Sequence, residues 1–193
     1  AAPRTECRNR SKHLPLCVQV SAPDCGLRHL GHEWIGSIHQ RYAHEACAVD
    51  PRTGDLYVGS YHDGTIFKIA PGHRVAERFL PAGADGRTRA LGLKVDSASR
   101  LWAISADTGV AVYDLRSRHL LARFDIAGQD ARLVNDLAIT PDGSAYLTDS
   151  LRAVVYRVTP RQLALAKEHG GRAPLTAALT VPPRRATSSR SSR

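Results

Sequence analysis

Methionine is absent from all 193 residues, and lysine nearly so, with 4 against 23 arginines. Aromatic residues make up only 6%. No apolar run approaches the ~20 residues that span a bilayer as a helix, which excludes an integral membrane protein built on such helices. Ala1 to Arg10 contain no apolar core of a secretory signal, so the expectation is a cytoplasmic chain. The missing methionine leads us to expect that the chain lacks its true start. GxSxG, P-loop and dinucleotide fingerprints are all missing, which removes three common catalytic or phosphate-binding devices.

Cysteine is scarce and badly spaced for metal or redox work. Cys7, Cys17, Cys25 and Cys47 stand 10, 8 and 22 residues apart, which suits neither a CxxC zinc pair nor an oxidoreductase motif. A disulfide framework is not expected. His29-x-x-His32 and His39-x₄-His44 have no cysteine or carboxylate partner at zinc spacing and read as chance clustering.

Acidic residues are the other shortage: 18 Asp+Glu against 27 Lys+Arg give a formal charge of +9. Taken whole, that suggests a nucleic-acid or anionic-membrane partner. The charge is not evenly spread. Residues 1–44 carry +3 and residues 161–193 carry +6, whereas 45–160 hold 14 charges of each sign. The tail from Val181 to Arg193 is Ser/Arg-rich with no aromatic residue, the composition of a disordered segment. An RNA-binding arm would interleave aromatics for stacking, so neither a nucleic-acid nor a membrane partner is expected. The arginine excess is that of GC-rich coding sequence, and one reading of the flanks is translation of an altered frame.

What is there is a repeat. Ala48-Val-Asp-Pro-Arg-Thr-Gly-Asp-Leu-Tyr-Val58, Lys94-Val-Asp-Ser-Ala-Ser-Arg-Leu-Trp-Ala-Ile104 and Ala138-Ile-Thr-Pro-Asp-Gly-Ser-Ala-Tyr-Leu-Thr148 align. Each is an apolar run, a turn at Asp50, Asp96 or Thr140, and a second run around Tyr57, Trp102 or Tyr146. Third runs follow at Gly64–Ile69, Gly109–Asp114 and Ala153–Val158, and fourth runs at Arg74–Leu80 and His119–Asp125. Short β-rich runs in fours, punctuated by Pro, Gly and Asp and repeating every ~45 residues, are the signature of propeller blades. Runs as continuous as Val154-Val-Tyr156 suit strands covered on both faces by neighbouring blades.

The predicted fold is therefore all-β: a partial β-propeller of about three blades of four antiparallel strands, with irregular flanks. The predicted divisions are a poorly patterned flank over 1–44, blades over 45–160, a short helix and outer strand over 161–180, and a disordered tail over 181–193. Residues 161–169 have helix-forming composition, and Leu175–Val181 suits the outer strand of the third unit. Propellers close with roughly 4–8 blades. Three units therefore imply a truncated ring, a homodimer completing the propeller, or flanks that supply the missing strands.

The repeat also sets a register. Five residues before each turn stand Glu45, Leu91 and Asn135, each at the start of an innermost strand near the channel mouth. Glu and Asn oxygens there can hold a hard divalent cation such as Ca²⁺, and Arg89, two residues before Leu91, can clamp an anionic or hydroxyl-rich ligand. The plainer alternatives are solvated or turn-forming residues for Glu45 and Asn135, and a surface charge for Arg89. Asp149 at the end of a second strand reads as a turn residue or as a catalytic base.

At these positions the chain resembles the gluconolactonase/regucalcin (senescence-marker-like) family. The resemblance rests on Glu45-Ala-Cys-Ala-Val-Asp50, Thr53–Ser60 and Val134-Asn-Asp-Leu-Ala-Ile-Thr-Pro-Asp-Gly-Ser-Ala-Tyr-Leu-Thr-Asp-Ser150, and covers roughly residues 43–160. It implies a six-bladed-type propeller whose central cation, most naturally calcium with zinc or manganese as alternatives, opens a sugar lactone. Carried over, Glu45 and Asn135 match the family's metal ligands and Arg89 its substrate arginine. Leu91 stands where the family has Asn. Ala46 and Cys47 replace the usual Gly and aliphatic residue. The family's fourth-blade Asp, its catalytic base, would fall beyond residue 180, so no catalytic residue is assigned. The expected function is that of a metal-dependent, lactone hydrolase-like propeller acting on a lactone or sugar-like ligand. The alternative is a non-catalytic binding or assembly module, or an inert fragment.

Overall fold

A computed structural model describes residues 44–180 except residue 129. The predicted 181–193 tail, nearly all of the 1–44 flank, and His29, His32 and His39 lie outside the described residues.

Three antiparallel sheets follow one another along the chain. The first contains β1 (His44–Val49), β2 (Leu56–Ser60), β3 (Ile66–Ile69) and β4 (Glu77–Leu80), in that spatial order. The second contains β5 (Ala90–Val95), β6 (Arg100–Ser105), β7 (Gly109–Asp114) and β8 (Leu120–Asp125). The third contains β9 (Val134–Ile139), β10 (Ala145–Asp149), β11 (Val154–Val158) and β13 (Thr176–Thr180). Between β11 and β13 the chain forms helix α1 (Pro160–Glu168) and a short strand β12 (Arg172–Pro174).

The turns form for local reasons. The Asp50 carboxylate accepts the Arg52 N–H, and the backbone closes from Asp50 N to Asp55 O at 2.9 Å. Asp96 accepts from Ala98 N and Arg100 N on one oxygen, and takes the Trp102 indole N–H on the other at 2.7 Å. In the third sheet Asp142 accepts the Ser144 N–H inside a turn closed from Thr140 N to Ser144 O. Each turn needs one left-handed residue, supplied by Gly54, Ser99 and Gly143.

The sheets are blades stacked face to face, with two apolar clusters between them. In the middle blade alternate residues divide between the clusters, as a period of two requires. Leu101, Ala103, Ala111 and Tyr113 join Tyr57, Ile66 and Phe79 of the first blade. Trp102, Ile104, Val110, Val112 and Phe124 join Leu137, Leu147 and Tyr156 of the third. Among the described residues only the middle blade is covered by a blade on both faces. Val154 and Val155 are half-buried and Tyr156 buried, because the third blade has one neighbour among the described residues.

Two features depart from expectation. β12 adds in parallel to β8, so the second sheet has five strands. Arg123 N donates to Gly171 O and Leu175 N to Asp125 O, both at 2.7 Å, and this strap covers the edge of β8 before β13 closes the third blade. α1, which leads into it, is opened by a capping box between Thr159 and Gln162 with Pro160 in the first turn. The second departure is Cys47 on β1, which is disulfide-bonded although no disulfide framework was expected.

Candidate functional site

β1, β5 and β9 are the first strands of their sheets and lie side by side, β1 against β5 and β5 against β9. Glu45, Leu91 and Asn135 are the second residue of each. The equivalence read from the turns therefore holds in three dimensions.

A shared irregularity marks this level. In the β1–β2 ladder His44 pairs Ser60 and Ala46 pairs Gly59, so Glu45 is an extra residue. In β5–β6, Ala90 pairs Ser105 and Leu93 pairs Ala103, leaving Leu91 and Gly92 opposite Ile104 alone. In β9–β10, Asp136 pairs Thr148 and Val134 pairs Asp149, leaving out Asn135. Each inner strand thus carries a β-bulge at the same position, a device that re-aims side chains next to sites. Hydrophobic alternation does not reveal it, since one inserted residue near a strand end barely disturbs the pattern.

The backbone around the bulges is pinned in a repeated way. Ala106 N donates to Arg89 O at 3.2 Å, and Ser150 N donates to Leu133 O at 2.8 Å, so Arg89 and Leu133 are equivalent positions. Strand-end oxygens at the equivalent positions Ser105 and Asp149 hold the same stretch, one residue apart in register. Ser105 Oγ accepts from Thr88 N at 3.4 Å, and Asp149 Oδ1 accepts from Leu133 N at 3.1 Å.

Asp149 is fully engaged in that task. Its Oδ1 also accepts from Leu151 N and Arg152 N, and its Oδ2 accepts the Arg152 Nε–H at 3.0 Å. Burial pushes its carboxyl up, but these hydrogen bonds together hold it below the usual carboxylate range. Asp149 is a strand-end anchor for Leu133, at the entry to the strand that carries Asn135, and both of its oxygens are committed.

Arg89 stands at the same mouth, held on two sides. Its Nε donates to Asp107 Oδ2 at 3.1 Å, and its Nη2 pairs with Asp107 Oδ1. Its Nη1 donates to Tyr61 Oη at 3.0 Å, and the guanidinium lies 5.4 Å from the Tyr61 ring centroid. The Asp107 hydrogen bond raises its already high pKa, so it stays charged. About a third of the side chain is exposed, and two of its five N–H donors stay uncommitted in these bonds. Thr88 Oγ1 also donates to Asp107. Tyr61 and Asp107, the partners that hold Arg89, were missed by sequence reading because they sit 28 and 18 positions away in two different blades.

For a divalent cation the donor set is short. Asn135 is half-buried and offers one amide oxygen, while Leu91 is 3% exposed within the core and offers none. Among the described residues no group of three or more His, Cys, Asp or Glu is gathered to hold a metal. Ca²⁺ takes 6–8 oxygens, so these residues do not by themselves complete such a site. Among the described residues no helix is long and apolar enough to cross a membrane.

No family model and no curated protein matches the chain. Solved structures do. A gluconolactonase from Xanthomonas campestris superposes with a TM-score of 0.53 at 17% identity, over 72% of this chain and 48% of that one. A streptogramin B lyase gives 0.49 at 14% identity over 60% and 37%, and a computationally designed protein, Ika4, gives 0.47 at 12% over 62% and 67%. The first match establishes a propeller-like fold, and it spans about half the length of the gluconolactonase.

Proposed function

We propose that the chain is part of a lactone hydrolase-like propeller whose ligand mouth lies at the bulged ends of β1, β5 and β9. The observation that carries this reading is the bulge repeated at Glu45, Leu91–Gly92 and Asn135, with Arg89 fixed beside it. The resemblance of those motifs to gluconolactonases supports a lactone or sugar-like ligand as the substrate class, and the gluconolactonase among the structural neighbours is consistent with it. Arg89 directs its uncommitted N–H groups to a lactone carbonyl or sugar hydroxyl, while Asp107 and Tyr61 hold its plane. Glu45 and Asn135 are the oxygen donors this chain contributes toward a divalent cation, with calcium preferred. When bound, such an ion polarises a carbonyl and acidifies water. The remaining ligands come from outside the three blades.

Leu91 favours a second reading, in which the mouth binds a sugar-like ligand without turning it over. One experiment separates the two. Lactone opening is followed by pH-stat with glucono-δ-lactone and added Ca²⁺, Zn²⁺ or Mn²⁺, alongside calorimetric binding of the same compounds. Metal-dependent opening that is lost in Glu45→Ala establishes the hydrolase. Binding that needs Arg89 but gives no turnover establishes the binding module. Neither binding nor turnover overturns both.

A further inference from the structure

The two end faces of the blade stack differ in chemistry. On the third blade, the face turned away from the second carries Asp136, Ala138, Tyr146, Thr148, Val155 and Arg157. The registers Ala138–Tyr146–Arg157 and Asp136–Thr148–Val155 place them together. The strand pairings also align this face with the packed face of the middle blade. Thr148 then stands where that blade has Ile104, Arg157 where it has Val112, and Asp136 where it has Gly92. Asp136, Ala138 and Thr148 are exposed. This is a wet face.

The face of the first blade turned away from the second is the opposite. The registers Cys47–Val58–Phe67 and Val49–Leu56–Ile69 put six apolar side chains on it. None of the six is exposed. Leu56 and Ile69 are buried, yet they belong to neither inter-blade cluster. No described blade packs on this face, and Phe67 and Cys47 both have interaction partners.

We infer that the residues preceding β1 cover this face and are stapled to it through Cys47. Cys47 lies on the face and is disulfide-bonded, and every other cysteine of the chain, Cys7, Cys17 and Cys25, falls within residues 1–43. That segment leads directly into β1 and contains an alternating apolar run, Leu14, Leu16, Val18 and Val20, around Cys17. A second copy is the poorer occupant. Ring closure by two copies would press Asp136 and Arg157 of one third blade against the apolar face of the other first blade, burying charges without partners. The staple also assigns the chain to an oxidising environment, where such a bond persists.

The test uses the full chain purified without reductant. Peptide mapping under non-reducing conditions, light scattering and hydroxyl-radical footprinting are read together. The expected result is the mass of one chain, Cys47 linked within that chain to a cysteine of residues 1–43, and Phe67 oxidised at least threefold more slowly than Tyr146 after correction for intrinsic reactivity. A two-chain mass with both aromatics protected overturns the inference in favour of a second copy. A free Cys47 thiol, or Phe67 as reactive as Tyr146, overturns it outright. Lactone turnover plays no part in these readouts.

Discussion

Gly92 of β5 faces the backbone carbonyl of Asn135 so closely that a Cβ on Gly92 would sit 2.9 Å from that oxygen. It would also stand 3.0 Å from Asp136 Cα and from Ile104 Cδ1. The seam between the second and third blades is therefore closed by a missing side chain at the level of the ligand mouth. The bulge that carries Leu91 and Gly92 is what brings this backbone so near.

Gly92→Ala is expected to destabilise the fold by about 1–3 kcal/mol, because both backbone contacts are rigid. Urea unfolding monitored by far-ultraviolet circular dichroism measures it. The same variant shifts Asn135, so ligand affinity falls further than in a Gly143→Ala control. Gly143 is left-handed, with φ 81°, but it lies in the turn at the far end of β9 from Asn135, where a Cβ would meet Pro160 at 3.3 Å. Equal loss in both variants would detach the seam from the site.

Arg89→Lys separates fold from function at the mouth. The Arg89–Asp107 pair is a third or more exposed on both sides, so its loss costs stability only about 0–1 kcal/mol. A lysine ammonium cannot reproduce the fork on Asp107 while reaching Tyr61. Ligand affinity is expected to drop about tenfold or more, measured by calorimetry against an unchanged melting temperature. A variant that binds normally removes Arg89 from the site.

Acid stability follows from the depressed carboxyls. Asp142 is lowered to about 2, chiefly by the Thr140 hydroxyl and then by Ser144. Asp149 is lowered by its hydrogen bonds against the opposing effect of burial. Both folded values lie below the ordinary unfolded value of about 3.9. The stability they contribute is complete above that value and is lost as pH falls through the folded values. The urea midpoint is expected to be flat from about pH 7 to 5 and to fall below about pH 4. Asp149→Asn lowers stability at neutral pH by about 1–3 kcal/mol, and its deficit relative to the parent shrinks as pH approaches about 2. A deficit that stays constant with pH would show that the charge of Asp149 contributes nothing.

The wet end of the stack can be converted. Thr148→Ile with Arg157→Val installs the side-chain types that Ile104 and Val112 present in the middle blade. Arg157 lies over the Tyr146 ring at 5.5 Å and has a buried Nε without a partner, so it is a costly occupant, and its charge is expected to oppose association through this face. The double variant is expected to self-associate at concentrations where the parent does not, as sedimentation velocity would record. Unchanged sedimentation would refute an anti-association role for Arg157 and Thr148.

Much of the strand plan was legible because it depends on local chemistry. The aromatic positions Tyr57, Trp102 and Tyr146 and the turns at Asp50, Asp96 and Thr140 recur at a fixed step, and each turn is closed by atoms within five residues. The equivalence of Glu45, Leu91 and Asn135 followed from that step. The β12 strap was not legible, since three residues of Arg-Ala-Pro carry no alternation and pair with a strand 49 positions earlier. The disulfide at Cys47 was missed because spacing alone does not report which cysteines a sheet face brings within reach.

By itself the sequence determined that this protein is a stack of β blades and which residues stand at equivalent levels in it. Periodicity and turn preference act over a few residues, and the repeat copies them three times. Tertiary structure alone decided what those levels contain. It put an extra residue in each inner strand, spent the oxygens of Asp149 on backbone N–H groups and the Arg152 guanidinium, joined Arg89 to Asp107 and Tyr61, and left one end of the stack wet and the other apolar. Those outcomes depend on which strands meet across a seam. Pairings between residues 16 to 28 positions apart are set by the packing of whole blades and leave no mark on the local pattern.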